Sequence, residues 1–263
     1  MEHVLAKRVG LAACVLAGSS SWGQQVTVCS PAVRVSLNSG DRVCPPFCTF
    51  DQTVSGATIP LPKFDPSMGT LTGASVSVSA SGSGVFRWTL FAEHAPGGYA
   101  TNVRVRPSVS APGATGVSAD FMIPDCGQPV GRFEYEGTCS FSAGFGGSPA
   151  RAVSSGSLGS YVGTGNLSLS SSVRFNAELF ISGLPFLSWR DEVYADLTVC
   201  ATYTYCGADF TGDGFVDFMD LDAFVECFEF GVCPAGRTAD YNRDGFVDYL
   251  DLDTYLAAFE AGC

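Results

Sequence analysis

Histidine, lysine and long apolar runs are scarce in this chain. Its two histidines are His3 and His94, and its two lysines are Lys7 and Lys63. A Ser-His-Asp arrangement has only His94 to draw on, and no G-x-S-x-G turn presents a nucleophile. His94 sits directly before the turn-forming stretch APGG at 95–98, which reads as a surface loop. Paired CxxC spacing is also missing. Cys44 and Cys48 (CPPFC) stand alone, so a zinc site would have to combine His94 with cysteines that an exported protein oxidises. Basic residues number 14 against 26 acidic ones, for a formal charge of −12. The few arginines are dispersed, which excludes the basic face a nucleic-acid partner requires. After the N-terminal region no stretch is long and apolar enough to span a bilayer.

The N-terminus reads as a secretory signal. Lys7 and Arg8 form a short basic region, Val9 to Gly18 a brief apolar run, and small residues continue to Gly23. Cleavage is expected after Gly23, with Ser21 at −3. Leu11-Ala12-Ala13-Cys14 also matches a bacterial lipoprotein box, although the apolar run continues past Cys14. Of the 11 cysteines, Cys14 would leave with the signal. The ten that remain are an even set, consistent with five disulfides in an oxidising compartment.

Residues 27–205 carry the alternation of a mainly β fold. Apolar and polar residues alternate over Ala74–Ala80, Val85–Ala92, Asn102–Val109, Val173–Ile181 and Val193–Tyr203. Gly, Pro and Ser clusters punctuate them: SGSG at 81–84, APGG at 95–98, APGAT at 111–115 and GGSPA at 146–150. No helical period persists. The pattern predicts a β-sandwich or jelly roll of roughly eight strands. Chemistry is hard to find in it. Glu134 and Glu136 (RFEYEG) would share one face of a strand, and nothing sets them apart as a glycosidase acid and base. Trp88, Phe91, Phe141, Phe145 and Trp189 are candidates for a sugar-binding face, with core packing the commoner use.

The C-terminal region, 206–263, differs in composition. It holds 13 acids and 2 bases, a charge of −11, which is nearly the whole imbalance of the chain. The acids fall in two copies of one pattern, DFTGDGFVDFMD at 209–220 and DYNRDGFVDYLD at 240–251, offset by 31 residues. Oxygen side chains occupy loop positions 1, 3, 5, 9 and 12. These are Asp209, Thr211, Asp213, Asp217 and Asp220, then Asp240, Asn242, Asp244, Asp248 and Asp251. Position 6 is glycine, Gly214 and Gly245, and position 7 supplies a backbone carbonyl from Phe215 or Phe246. This is the spacing of a twelve-residue calcium loop, which wraps a hard cation in about six to eight oxygens. Two ions are expected. The bland alternative, two acidic turns without metal, leaves the converging carboxylates to repel each other.

Each loop runs into an amphipathic stretch. Leu221, Phe224, Val225 and Phe228 have helical spacing, repeated by Leu252, Tyr255, Leu256 and Phe259. What precedes each loop is not helical, so these are not EF-hands, which need a helix on both sides. Val216 and Val247, at position 8, are candidates for a short β-bridge between the loops.

Two loop–helix units in tandem, closing on Gly262-Cys263, resemble a dockerin, specifically the dockerin-like module that ends many secreted bacterial proteins. The resemblance covers residues 206–263. It implies a calcium-dependent tether to a cohesin-like or other envelope protein. It also implies a partner surface at loop positions 10 and 11, Phe218-Met219 and Tyr249-Leu250. The ends of a two-fold tandem should meet, so Cys206 is expected to pair with Cys263, leaving Cys227 to pair locally with Cys233.

The β region carries a resemblance of its own. Ile59 to Leu71 (IPLPKFDPSMGTL), the strand ASVSVSA after it, YVGTGNLSLSSS at 161–172 and VYADLTVCATYTY at 193–205 resemble the choice-of-anchor E domain. That family comprises secreted β domains of unassigned activity, fused to varied anchoring modules. The many cysteines depart from its pattern.

The expectation is therefore a secreted or cell-surface bacterial protein, non-catalytic, anchored through its calcium module. The alternative is a dockerin-tethered glycoside hydrolase or carbohydrate-binding protein acting in polysaccharide catabolism.

Overall fold

The computed structural model describes residues 23–38, 42–44, 47–90, 98–122, 126–128, 136–181 and 187–263. Residues 1–22, where the signal peptide and Cys14 are expected, and also Phe91, His94 and Glu134 lie outside the described residues. So do the side chains of Trp88, Trp189, Phe141, Phe145, Glu136, Cys44, Cys48, Cys126 and Cys139.

The chain is a β-sandwich followed by a small helical part. Among the described residues, strands form two antiparallel sheets of seven. The first is built on one long pairing, Thr70–Leu90 against Leu187–Cys206, running from Leu90↔Leu187 to Thr70↔Cys206 with one register shift between Thr204 and Tyr205. Gln24–Cys29, Val33–Asn38 and Arg42–Cys44 line the outer side of 187–206. Glu136–Gly147 and Arg151–Ala152 line the outer side of 70–90. The second sheet centres on Asn166–Ile181. Gly98–Ala111 pairs on one side of it, and Phe47–Ser55 and Ile59–Pro62 pair on the other.

The period-2 alternation sets which side chains meet between the sheets. Val76, Val78, Leu197, Val199 and Ala201 point inward from the first sheet and are fully buried. Leu169, Val173 and Phe175 answer from the second. Burying each large aliphatic side chain contributes about 1.5–3 kcal/mol. Cys29 and Cys200 face each other across neighbouring strands and are disulfide-bonded.

Three expectations change here. The first strand starts at Gln24, ahead of the expected boundary at 27. SGSG at 81–84 is not a turn, because Thr70–Leu90 runs straight through it. Gly82 and Gly84 are buried opposite Ala195 and Val193, on a neighbouring strand that is continuous there. A turn would have to break both strands. The strand segments number fourteen among the described residues rather than about eight. Pieces as short as Phe121–Met122 and Arg151–Ala152 are too brief to leave an alternation signal.

One end of the sandwich is finished by the stretch 59–68. Ile59, Leu61 and Phe64 are buried, and Phe64 bridges to Val162. Tyr203 Oη donates to the Pro62 carbonyl at 2.8 Å. Asp65 then caps a 3-10 turn, Pro66–Met68, accepting from Ser67 N at 2.9 Å and Ser67 Oγ at 2.7 Å. The strand Leu187–Cys206 ends beside this turn, and the acidic module follows at once.

Candidate calcium loops

Both amphipathic stretches are helices, α1 over Phe218–Phe230 and α2 over Tyr249–Ala261. Each starts where its loop ends because positions 9 and 12 form a capping box. Asp217 accepts from Met219 N and Asp248 from Leu250 N, both at 2.8 Å. In return Asp220 accepts from Asp217 N at 3.0 Å and Asp251 from Asp248 N at 2.9 Å. α1 stops at Gly231, whose φ of 68° is left-handed.

The helices pack about a pseudo-two-fold axis that follows the repeat. Phe224 and Tyr255, equivalent residues of the two copies, stack on each other with centroids 3.9 Å apart. Phe218 leans on Phe259 at 6.4 Å, and its counterpart Tyr249 leans on Phe228 at 6.2 Å. Phe210 and Tyr241, at loop position 2, close the cluster edge-on against the stacked pair. Val225 and Leu256 are half-buried and stay outside it. Cys206–Cys263 and Cys227–Cys233 are both bonded, as expected for the module. The bridge between Val216 and Val247 does not form among the described residues. Val247 is instead largely exposed.

The loops share one backbone. Gly214 and Gly245 both have φ of 93°, in the region that favours glycine. Their amides donate to Asp209 Oδ2 and Asp240 Oδ2, each at 3.1 Å. Phe215 N and Phe246 N donate to Asp213 and Asp244 at 2.9 Å, and the position-12 carboxylates accept from Thr211 N and Asn242 N. Asp217 and Asp248 turn to the helix amides as caps. Among the described residues no three carboxylate, cysteine or histidine groups converge as a formed metal cluster. The carboxylates instead turn to loop amides.

These residues fit calcium on the chemistry of their burial. Asp209, Asp220 and Asp251 are 2%, 1% and 0% exposed. A buried carboxylate costs several kcal/mol unless paired or hydrogen-bonded. Asp240 Oδ1 is buried with no hydrogen-bond partner. Its counterpart, Asp209 Oδ1, accepts from Gly212 N at 2.8 Å. Two oxygens on each carboxylate offer about four acceptor sites, so amide bonds and a cation are compatible on one group.

Positions 10 and 11 stand out. Phe218, Met219, Tyr249 and Leu250 are 78%, 67%, 77% and 59% exposed. Only one edge of Phe218 and of Tyr249 touches the opposite helix, and most of each ring faces solvent. Phe215 and Phe246 are exposed beside them.

Two residues matter that the sequence reading passed over, Arg237 and Arg243. They are the two bases among the module's 13 acids, and that scarcity was the available signal. Burial pushes the Arg237 pKa below its ordinary value, with the charges of Asp209 and Asp220 opposing the shift.

On the β domain, Asp51 and Glu178 line a shallow groove with Arg104, Arg106 and Asn176. Asp51 is ion-paired to Arg174, which holds its carboxyl below the usual range. Arg106 donates to Asn176 Oδ1 at 2.9 Å. Among the described residues no helix is long and apolar enough to cross a membrane.

No protein-family model matches the chain, and no curated protein matches it. Solved structures that align with it include the Gx strain of infectious bursal disease virus, at 13% identity over 76% of this chain and 47% of that one, with a TM-score of 0.13. The VP2 subviral particle of the same virus aligns at 11% identity over 87% and 55%, with a TM-score of 0.14. The chain spans about half the length of these proteins, and scores this low carry no argument.

Proposed function

We infer that this is an exported bacterial protein whose C-terminal dockerin-like module binds two calcium ions and anchors the β domain to a protein partner of the cell envelope. Loops 209–220 and 240–251 each hold one ion. The carrying observation is the pair of like-built loops with buried carboxylates at Asp209, Asp220 and Asp251 and a buried, unpartnered oxygen at Asp240. Three disulfides among the described cysteines suit an oxidising compartment. The exposed apolar pairs Phe218-Met219 and Tyr249-Leu250 suit a cohesin-like partner. A solvent-facing apolar cluster of this kind otherwise invites aggregation. Calorimetric titration of the chain without residues 1–23 tests the reading. Two calcium ions per chain are expected, one after Asp209→Ala and none after Asp209→Ala with Asp240→Ala. Absence of calcium binding to the native chain refutes it.

A second reading rests on the groove holding Asp51 and Glu178, two carboxylates that could serve a glycoside hydrolase or a carbohydrate-binding domain. Its Asp51–Arg174 pair and Arg106–Asn176 bond favour a self-satisfied polar ladder on a sheet face. Hydrolysis of a polysaccharide panel that disappears in Glu178→Gln would reverse that preference.

A further inference from the structure

The module does not follow the sandwich on a linker. The last strand of the first sheet ends at Cys206, and loop position 1 is Asp209. Cys263, at the far end of the module, is bonded back to Cys206. Between them a Cβ on Gly207 would lie 2.4 Å from Tyr241 Oη and 2.8 Å from Gln24 Oε1, so the two parts approach within backbone contact.

Both arginines of the module reach the same turn of the β domain. Arg237 divides its guanidinium between the two parts. Nε donates to Phe210 O at 3.1 Å and Nη2 to Asp209 O at 2.8 Å, both carbonyls of loop 1. Nη1 donates to Pro66 O at 2.8 Å and Nη2 to Thr70 Oγ1 at 3.3 Å, both of the sandwich. Arg243 sits at position 4 of loop 2 with φ of 64°. Among the described residues it is the one non-glycine in the left-handed region, and loop 1 has Gly212 at the matching position. A strained backbone persists where surrounding contacts over-determine it. Here those contacts are Ser67 Oγ, which accepts from Nη2 at 2.8 Å, and Asp65 Oδ2, 3.7 Å from Nη1.

We propose that the turn Asp65–Met68 is a seat for the calcium module, and that Arg237 and Arg243 couple calcium binding to the stability of the β domain. The coupling rests on the calcium reading above. The Asp209 and Phe210 carbonyls meet Arg237 only when loop 1 is folded. Arg243 reaches Asp65 and Ser67 only when position 4 of loop 2 turns left-handed. An ion that orders either loop therefore strengthens the seat. By reciprocity the seat raises calcium affinity by the same factor. Arg237 and Arg243 are positioning residues in this scheme and touch no ion.

The test uses the full chain without residues 1–23. The two tryptophans this chain keeps, Trp88 and Trp189, both precede the module, so tryptophan fluorescence reports the β domain alone. In the native protein, calcium should raise the fluorescence melting midpoint above its value in chelator. Arg237→Met with Arg243→Gly should abolish that shift and weaken calcium binding about five-fold or more. Asp65→Asn with Ser67→Ala alters only the β-domain side of the seat. It should reduce both effects in the same direction, and it decides the matter should the arginine variant fail to fold. A native chain that binds two calcium ions while its β-domain melting stays flat overturns the coupling. So does unchanged calcium affinity in Asp65→Asn with Ser67→Ala. A native chain that binds no calcium overturns the calcium reading itself, and the coupling with it.

Discussion

Asp240→Ala separates a metal loop from a structural turn. In the structure Asp240 accepts one hydrogen bond, from Gly245 N at 3.1 Å, and its other oxygen is buried without a partner. Without calcium, losing that bond costs about 1 kcal/mol, and deleting a half-satisfied buried carboxylate gains a similar amount. The substitution should then move unfolding by less than about 1 kcal/mol in chelator. With calcium at about 100 times its dissociation constant, the site adds roughly 2.7 kcal/mol to the folded state. Removing the position-1 ligand forfeits most of that. The expected signature is a penalty about 2–3 kcal/mol larger in calcium than in chelator. Denaturant unfolding of the full chain, followed by the far-ultraviolet helix signal in both conditions, measures it. Asp209→Ala is the less clean probe, because it also strips two amides, Gly212 N and Gly214 N, of their acceptor. An equal penalty for Asp240→Ala in chelator and in calcium would show that the loops are turns only.

Phe224→Ala removes half of the stacked pair at the module's centre, where Phe224 is fully buried. It should cost about 3–5 kcal/mol by denaturant unfolding and release the helix signal before the tryptophan signal. Replacing Phe218, Met219, Tyr249 and Leu250 by Ser should leave calcium affinity unchanged and stability within about 0.5 kcal/mol per site, since all four are exposed. Binding to a cohesin-like partner should be lost, and collapse of calcium binding instead would make these residues core. Peptide mass mapping of the oxidised protein should recover Cys29–Cys200, Cys206–Cys263 and Cys227–Cys233, and a link from Cys206 to a β-domain cysteine would contradict the module's closure. Burial raises the Asp65 pKa, but the Ser67 amide and hydroxyl and the Arg243 charge outweigh it, so the folded value lies below the ordinary one. Its contribution is complete above the unfolded pKa of about 3.9 and disappears as pH falls through the lower folded value. The calcium-dependent shift of β-domain melting should therefore lose Asp65's share only below about pH 4.

What the sequence determined by itself is local. Each loop keeps its position-6 glycine and its helix cap within twelve consecutive residues, so spacing alone predicts the turns at 214 and 245 and the helix starts at 218 and 249. The 31-residue offset likewise repeats the apolar stripe of 221–228 at 252–259, although that Phe224 and Tyr255 are the pair that stacks was decided by packing. Alternation told the inward faces of Ala74–Ala80 and Val193–Tyr203 for the same reason: a strand's side chains alternate whatever it pairs with. The tertiary structure alone decided the rest. SGSG at 81–84 has turn composition, yet it lies mid-strand because Gly82 and Gly84 face Ala195 and Val193 on a neighbour more than 100 positions away in the chain. Whether Phe218 and Tyr249 are core or surface depended on how far apart the helix starts sit, which no spacing encodes. Arg237 and Arg243 find Pro66 and Ser67 across separations of 171 and 176 residues. Such contacts depend on which end of the sandwich the module lands on, and that is set by where the strand Leu187–Cys206 finishes beside Thr70, not by any pattern within the module.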